Sequence, residues 1–204
     1  MSTRSEIIQD IWDASAAGLA IMAFYYFDFQ DVKKQDCYGL LSSLISQLAV
    51  ESDSFWNILT QLYSGNRRDG QTPDIDALKK CMKDMLCLPG QGPIYIIIDA
   101  LDECPNLSGT PSARGKVLEL IEEIVDLKLP NVHLCVASRL EMNIRMVLGP
   151  LTSLRISLHD ESGHKEDIIG YIESVVHSDP KMRRWRKEDQ NLVIDMLSQN
   201  ADGV

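Results

Sequence analysis

An uninterrupted apolar run is the feature that most constrains the fold of this chain. Residues 94–98, Ile-Tyr-Ile-Ile-Ile, show no apolar and polar alternation and are followed at once by Asp99. A strand with one face in water alternates apolar and polar residues, whereas a strand covered on both faces is continuously apolar. The sequence therefore predicts a buried parallel strand that ends in a carboxylate.

Helical and extended patterns alternate on both sides of this run. Apolar residues spaced three and four apart predict amphipathic helices, and short apolar runs predict strands. The predicted helices span 5–12, 37–48, 55–62, 75–85, 116–127, 165–177 and 187–197, and the predicted strands span 19–27, 94–98, 132–138 and 154–158. This order indicates an α/β fold with a mainly parallel sheet and right-handed crossovers, in which 132–138 is a second buried strand.

Charge and cysteine content narrow the function classes. The chain of 204 residues has 20 Lys and Arg against 30 Asp and Glu, a net charge of −10, which excludes nucleic-acid binding by bulk positive charge. The five cysteines form no Cys-x-x-Cys pair and are expected to be reduced core thiols of a cytoplasmic protein. The longest uncharged apolar run, residues 14–27, is shorter than the roughly 20 residues of a membrane helix, so we expect no membrane or targeting segment.

Polar residues follow two of the predicted strands. In open parallel sheets, ligands bind outside the carboxyl ends of the strands. Asp99 at the end of one strand could hold a water of a Mg²⁺ ion whose other ligands are phosphate oxygens. Asp102 and Glu103 are candidate catalytic residues that orient or deprotonate an attacking water. Arg139, after the neighbouring strand, could sense a phosphate.

A purely structural interpretation of these residues stays open. A strand that ends in Asp is common, because Asp often caps the following turn. Asp102 and Glu103 could form a solvated acidic turn, and Arg139 could be an ion-pair partner of one of them.

The same residues carry a family resemblance. The segment 94–103, IYIIIDALDE, resembles the Walker B segment of NACHT-type STAND P-loop NTPases, and 136–139, VASR, resembles their sensor 1 strand. Segments 23–29 and 40–48 are similar to the strand and helix after the phosphate loop in fungal members with a nephrocystin-3-like N-terminal domain. The resemblance implies a P-loop-NTPase-like sheet flanked by helices, Mg²⁺ with ATP or GTP as cofactors, and nucleotide sensing by Ser138 and Arg139.

The phosphate loop of that family has no counterpart in this sequence. No segment matches GxxxxGK[ST], the Walker A motif whose amides and lysine cradle the phosphates. We therefore expect residues 1–160 to be an incomplete NACHT core and residues 161–204 to begin a helical subdomain. The expected function is that of a truncated or degenerate NTPase that binds nucleotide weakly or not at all and does not hydrolyse it alone.

The remaining alternatives concern partners. A non-catalytic interaction module, binding copies of itself or full-length relatives through an uncovered sheet face, is the main rival. Residues 181–187, KMRRWRK, could instead contact nucleic acid or anionic lipid. Given the net charge of −10, we expect a solvated helix start with Trp185 packed inward there, and no nucleic-acid or membrane partner. His159 and His164 fit no zinc spacing.

Overall fold

The structure centres on a three-stranded parallel sheet. It is a computed structural model that describes residues 13, 17–66, 72–106, 111–156 and 162–200. Strands β1 (Ile21–Tyr26), β2 (Ile94–Asp99) and β3 (Val132–Val136) pair in the order β1-β2-β3, with Ile94 opposite both Ile21 and Val132. The predicted α/β class with a parallel sheet is confirmed. The predicted helix over 5–12 lies outside the described residues.

The described part of the chain contains seven α-helices. They are α1 (Cys37–Glu51), α2 (Asp53–Asn66), α3 (Ile75–Leu86), α4 (Ala113–Asp126), α5 (Met142–Leu151), α6 (Ser162–Ser178) and α7 (Lys187–Asn200). Six of them match helices that the sequence predicts, whereas α5 does not. A glycine and Pro150 in its last turn weaken the helical signal of α5.

Side-chain caps fix where three of these helices begin. The carboxylate of Asp36 accepts a hydrogen bond from the Gly39 amide at 2.7 Å, and that of Asp74 accepts one from Ala77 at 2.8 Å. The hydroxyl of Ser112 accepts one from the Gly115 amide at 3.0 Å. Each cap pairs an amide that the first helical turn leaves without an intrahelical partner.

One face of the sheet forms the core. Ala23, Tyr25, Ile94, Ile96 and Ile98 point to this face and are buried. They pack in a single cluster with the apolar stripes of α1, α3 and α4. A parallel sheet whose strand order runs in one direction, joined by right-handed crossovers, places its connecting helices on the same side. The topology thus explains why the core lies on one face.

The opposite face, which we call the outer face, is only partly covered. It comprises Met22, Phe24, Tyr26, Tyr95, Ile97, His133 and Cys135, all half-buried or exposed. Phe24 and Tyr26 are 47% and 48% exposed, and the rings of Tyr95 and His133 stack at 4.8 Å. The prediction that both 94–98 and 132–138 are buried on two faces is therefore wrong. An apolar run satisfies a half-covered strand as well as a fully covered one.

The free edge of β1 is closed by one side chain. The Phe24 amide donates a hydrogen bond to Gln47 Oε1 at 3.0 Å, and Gln47 Nε2 donates to the Phe24 carbonyl oxygen at 2.7 Å. Gln47 lies on α1, so this helix supplies the two bonds that another strand would otherwise make. The amide therefore ties α1 to the sheet.

The chain divides into two compact units, Met1–Thr152 and Ser153–Val204. The second contains α6 and α7, which pack against each other. A strand over 154–158 is not observed at 154–156, where the side chains are exposed, and 157–158 lies outside the described residues. Trp185 is 45% exposed, so the prediction that it packs inward is wrong.

Cysteine burial departs from expectation at two positions. Cys37, Cys81 and Cys104 are buried, whereas Cys87 and Cys135 are exposed, so only three of the five are core thiols. Cys87 caps the C-terminus of α3, and Cys135 points to the outer face of β3. Among the described residues, no helix is both long enough and apolar enough to cross a bilayer.

Candidate functional site

The candidate site is the turn that follows β2. Asp99 ends the strand with an exposed side chain, and its Oδ1 accepts a hydrogen bond from the amide of Ala100 at 2.9 Å. Ala100 adopts a left-handed conformation with φ 53° and ψ 42°. This conformation is costly for a residue with a Cβ and turns the chain sharply into a 3₁₀ turn, Leu101–Glu103.

Asp102 connects this turn to the end of β3. Its Oδ1 accepts a hydrogen bond from the backbone amide of Arg139 at 2.9 Å. The Arg139 Nε lies 3.6 Å from Oδ2, but the arginine side chain is 78% exposed and the aspartate side chain 11% exposed. The hydrogen bond from the Arg139 backbone amide is therefore the stronger contact, since an exposed ion pair at this distance contributes little.

Glu103 connects the same turn to the end of β1. Its Oε2 accepts a hydrogen bond from the amide of Phe29 at 3.1 Å. The backbone adds two further ties, from the Phe27 amide to the Asp99 carbonyl at 3.1 Å and from the Leu101 amide to the Ala137 carbonyl at 3.1 Å. The acidic turn thus braces the carboxyl ends of all three strands.

A buried arginine donates hydrogen bonds to the turn from the core side. This residue was not identified from the sequence. Arg114 is 5% exposed; its Nε donates to the Cys104 carbonyl at 2.8 Å, and its Nη2 donates to the Asp102 carbonyl. Its Nη1 pairs with the carboxylate of Glu141, the residue before α5. From the sequence, an arginine in the first turn of an amphipathic helix is expected to lie on the surface. No sequence signal therefore predicts that Arg114 is buried and donates hydrogen bonds to the acidic turn.

Cys104 ends the turn inside the core. The thiol is fully buried and donates a hydrogen bond to the Gln35 carbonyl at 3.3 Å. Burial raises the pKa of the Cys104 thiol to about 12. A thiol that stays protonated is a poor nucleophile and a poor metal ligand, so this cysteine acts as a packing residue.

The five predicted site residues are thus placed at one edge of the sheet but are not equally close. Asp102 and Arg139 are in contact, Glu103 faces the end of β1, and Ser138 is exposed after β3. Within the described ranges, no three His, Cys, Asp or Glu side chains come together as a metal site would require. The structural interpretation of Asp102 and Arg139, left open above, agrees with their observed contacts.

The sequence profile of one protein family, described as nephrocystin 3, N-terminal, matches residues 3–139. This is more than half of the chain. The chain belongs to the nephrocystin 3, N-terminal family. The matched segment contains β1, β2 and β3 and every predicted site residue of this family member. No curated protein and no solved structure matches the chain.

Proposed function

We propose that this chain is a degenerate or partial NACHT-type switch module that does not hydrolyse nucleotide on its own. The observation that carries the proposal is the bracing role of the acidic turn. The carboxylates of Asp102 and Glu103 accept hydrogen bonds from the amides of Arg139 and Phe29. Each of these carboxylates thus has one oxygen engaged with a backbone amide of the fold, a structural role that leaves this oxygen turned away from an attacking water.

The absence of a phosphate-binding loop from the sequence supports the same conclusion. It contains no GxxxxGK[ST] segment, and the loss of one preorganised donor to a developing oxyanion typically costs about 3 to 4 kcal/mol. A whole loop of amides and its lysine contributes several such donors. Tight binding and turnover of ATP or GTP therefore need more than the residues described here supply.

We expect weak binding of Mg²⁺ as well as of nucleotide. Mg²⁺ in nucleotide sites keeps several waters and is shared between one or two carboxylates and the phosphate oxygens. Asp99 is the one exposed carboxylate of the turn, and its Oδ1 already accepts the Ala100 amide. Asp99 could hold a water of the ion, but the sequence has no GxxxxGK[ST] loop to bind the phosphate oxygens that complete the coordination, so the residues present do not fit a Mg²⁺–nucleotide complex.

Hydrolysis and thermal-shift assays test this proposal. The wild-type chain and Asp99→Asn are mixed with Mg²⁺ and either ATP or GTP, and phosphate release and melting temperature are recorded. We expect the same background phosphate release for both proteins and no shift of either melting temperature. Saturable, Mg²⁺-dependent hydrolysis that Asp99→Asn abolishes would overturn the proposal.

A second candidate function, protein interaction, is supported by the outer face. Phe24 and Tyr26 lie side by side on β1 with about half of each side chain exposed. A patch of aromatic side chains on a sheet is typical of a surface that contacts another protein. Other chains, either copies of this one or full-length NACHT relatives, are the partners that fit this function.

Sedimentation analysis separates this candidate from the first. Phe24→Ser/Tyr26→Ser is compared with the wild type and with Trp56→Ser/Tyr63→Ser, which removes two exposed aromatic side chains from α2 instead. Interaction through the outer face predicts concentration-dependent association that only the β1 variant loses. A wild type that remains monomeric up to high concentration, alone and with a full-length relative, would contradict it.

A further inference from the structure

The segment between α6 and α7 concentrates positive charge in an acidic chain. Five of the 20 lysines and arginines lie within residues 181–187, which we call the basic tip, while the net charge of the chain is −10. The five cations are Lys181, Arg183, Arg184, Arg186 and Lys187, and Trp185 stands among them.

Hydrogen bonds with Asp179, the residue after α6, and with Gln190 on α7 stabilise the backbone of the tip. Asp179 Oδ1 accepts the amides of Lys181 at 2.7 Å and Met182 at 3.1 Å. Gln190 on α7 is 8% exposed, and its Nε2 donates to the Met182 carbonyl at 2.8 Å. A 3₁₀ turn, Met182–Arg184, lies between them. These hydrogen bonds therefore fix the backbone from which the side chains of the tip project.

Its charged and aromatic side chains face solvent. All five cations are exposed, and none of them makes an ion pair with another side chain in the described part of the molecule. Trp185 is 45% exposed. Unpaired cations around an amphipathic aromatic ring match a surface that offers negative charge beside an apolar layer.

We propose that the basic tip binds the anionic headgroups of a lipid membrane, with Trp185 at the interface. Each Lys or Arg near an anionic lipid surface strengthens binding about fivefold. The Debye length at physiological salt is about 8 Å, so acidic groups farther away than this are screened from a surface that meets the tip. Asp179, Glu188 and Asp189 adjoin the tip and offset three of its five positive charges, which leaves a local excess of positive charge. This proposal is independent of nucleotide binding.

Two neighbouring side chains favour lipid over nucleic acid. Tyr171 on α6 is 71% exposed and Leu192 on α7 is 58% exposed, and they lie about three turns before and one and a half turns after the tip. A membrane interface accommodates both side chains, whereas a nucleic acid can stack its bases on Tyr171 but has no apolar layer for Leu192. The expectation of no membrane partner rested on the net charge of −10 and on a solvated helix start with Trp185 packed inward, and the structure lacks the inward Trp185.

Vesicle sedimentation with the full chain tests the proposal. Phosphatidylcholine vesicles with and without phosphatidylserine are mixed with the wild type, Arg183→Glu/Arg184→Glu, and a matched control, Lys80→Glu/Lys83→Glu. The control changes net charge equally at two exposed lysines of α3. We expect binding only to phosphatidylserine vesicles, a loss of roughly 25-fold or more for the tip variant, and little change for the control.

Tryptophan quenching by brominated lipid gives a readout with the tip charges intact. We expect wild-type fluorescence to be quenched on brominated phosphatidylserine vesicles, Trp56→Phe to keep that quenching and Trp185→Phe to lose it. Equal loss of binding by the tip and control variants, or absence of binding at low salt, would overturn the proposal. Preferential binding of single-stranded nucleic acid that Arg183→Glu/Arg184→Glu abolishes would also overturn it, in favour of a nucleic-acid ligand.

Discussion

Arg114 and Cys104 are joined by a hydrogen bond of 2.8 Å in which the guanidinium Nε donates to the cysteine carbonyl oxygen. The same guanidinium donates to the Asp102 carbonyl, so one buried cation satisfies two acceptors of the acidic turn. An acceptor left without a donor costs about 1 to 3 kcal/mol when it is buried. Arg114 therefore sets the conformation of the turn from the core side.

Replacement of Arg114 should destabilise the chain. We expect Arg114→Met to lower the free energy of unfolding by about 2 to 4 kcal/mol, because both carbonyl oxygens lose their donor. Lys116→Met is the control, since it makes the same kind of change at an exposed position of the same helix. Urea unfolding followed by circular dichroism measures both, and equal effects would contradict the assigned role of Arg114.

Asp102 and Arg139 are joined by a backbone hydrogen bond and by an ion pair, and two substitutions distinguish their contributions to stability. Asp102→Ala leaves the Arg139 amide without its acceptor, so we expect a loss of about 1 to 2 kcal/mol. Arg139→Ala removes only an exposed side chain 3.6 Å from the carboxylate, so we expect a loss below about 0.5 kcal/mol. Thermal melts at low and high salt test this, and a larger loss for Arg139→Ala would show that the ion pair dominates.

The fold was predictable where one strong local signal decided the outcome. The apolar run before Asp99 predicted β2, and the helical spacing of apolar residues over 75–85 predicted α3. The positions of Asp102 and Glu103 on the turn also followed from the sequence, but their hydrogen-bond partners did not. Those partners are the backbone amides of Arg139 and Phe29, and every residue type except proline carries this donor.

Long-range polar contacts were the unpredictable part. Gln47 closes the edge of β1 and Arg114 holds the acidic turn, and each lies on a helix where polar residues normally face water. The outer face was missed for a related reason. Tyr95 and Ile97 lie on the outer face of β2 but remain half-buried, so apolar residues are suitable there too. The sequence of β2 therefore looks the same as that of a strand buried on both faces.

A close approach between α1 and the loop before it requires glycine at position 39. An added Cβ would overlap the carbonyl oxygen of Lys33 and lie 3.0 Å from the Tyr25 hydroxyl oxygen. Because the first of these atoms belongs to the backbone, relief needs a shift of the loop. We expect Gly39→Ala to lower the free energy of unfolding by about 2 kcal/mol or more.

Gly170 on α6 supplies the control for this substitution. Nothing lies within 4 Å of its added Cβ, and alanine is about 1 kcal/mol more favourable than glycine in a helix. Gly170→Ala should therefore leave stability unchanged or raise it. A melting temperature of Gly39→Ala equal to that of the wild type would show that the loop yields without cost.

The three buried thiols predict a loss of stability in alkaline solution. Burial raises the pKa of Cys37 and of Cys81 to about 11 and that of Cys104 to about 12, whereas a thiol of the unfolded chain titrates near pH 8.5. Below pH 8.5 both states keep the protons and these thiols do not change stability. Above it the unfolded chain releases protons that the folded chain retains, so the free energy of unfolding falls until the folded thiols ionise.

Urea unfolding under reducing conditions between pH 8 and pH 10 measures this effect. Each thiol contributes a slope of at most about 1.4 kcal/mol per pH unit, so three thiols together give at most about 4 kcal/mol per unit. Cys81→Ala should reduce the slope by one third, because one of three buried protons is removed. Cys87→Ala is the matched control, because it removes a thiol that is exposed rather than buried, and it should leave the slope unchanged. A wild-type slope that Cys81→Ala does not reduce would mean that other groups cause the alkaline loss.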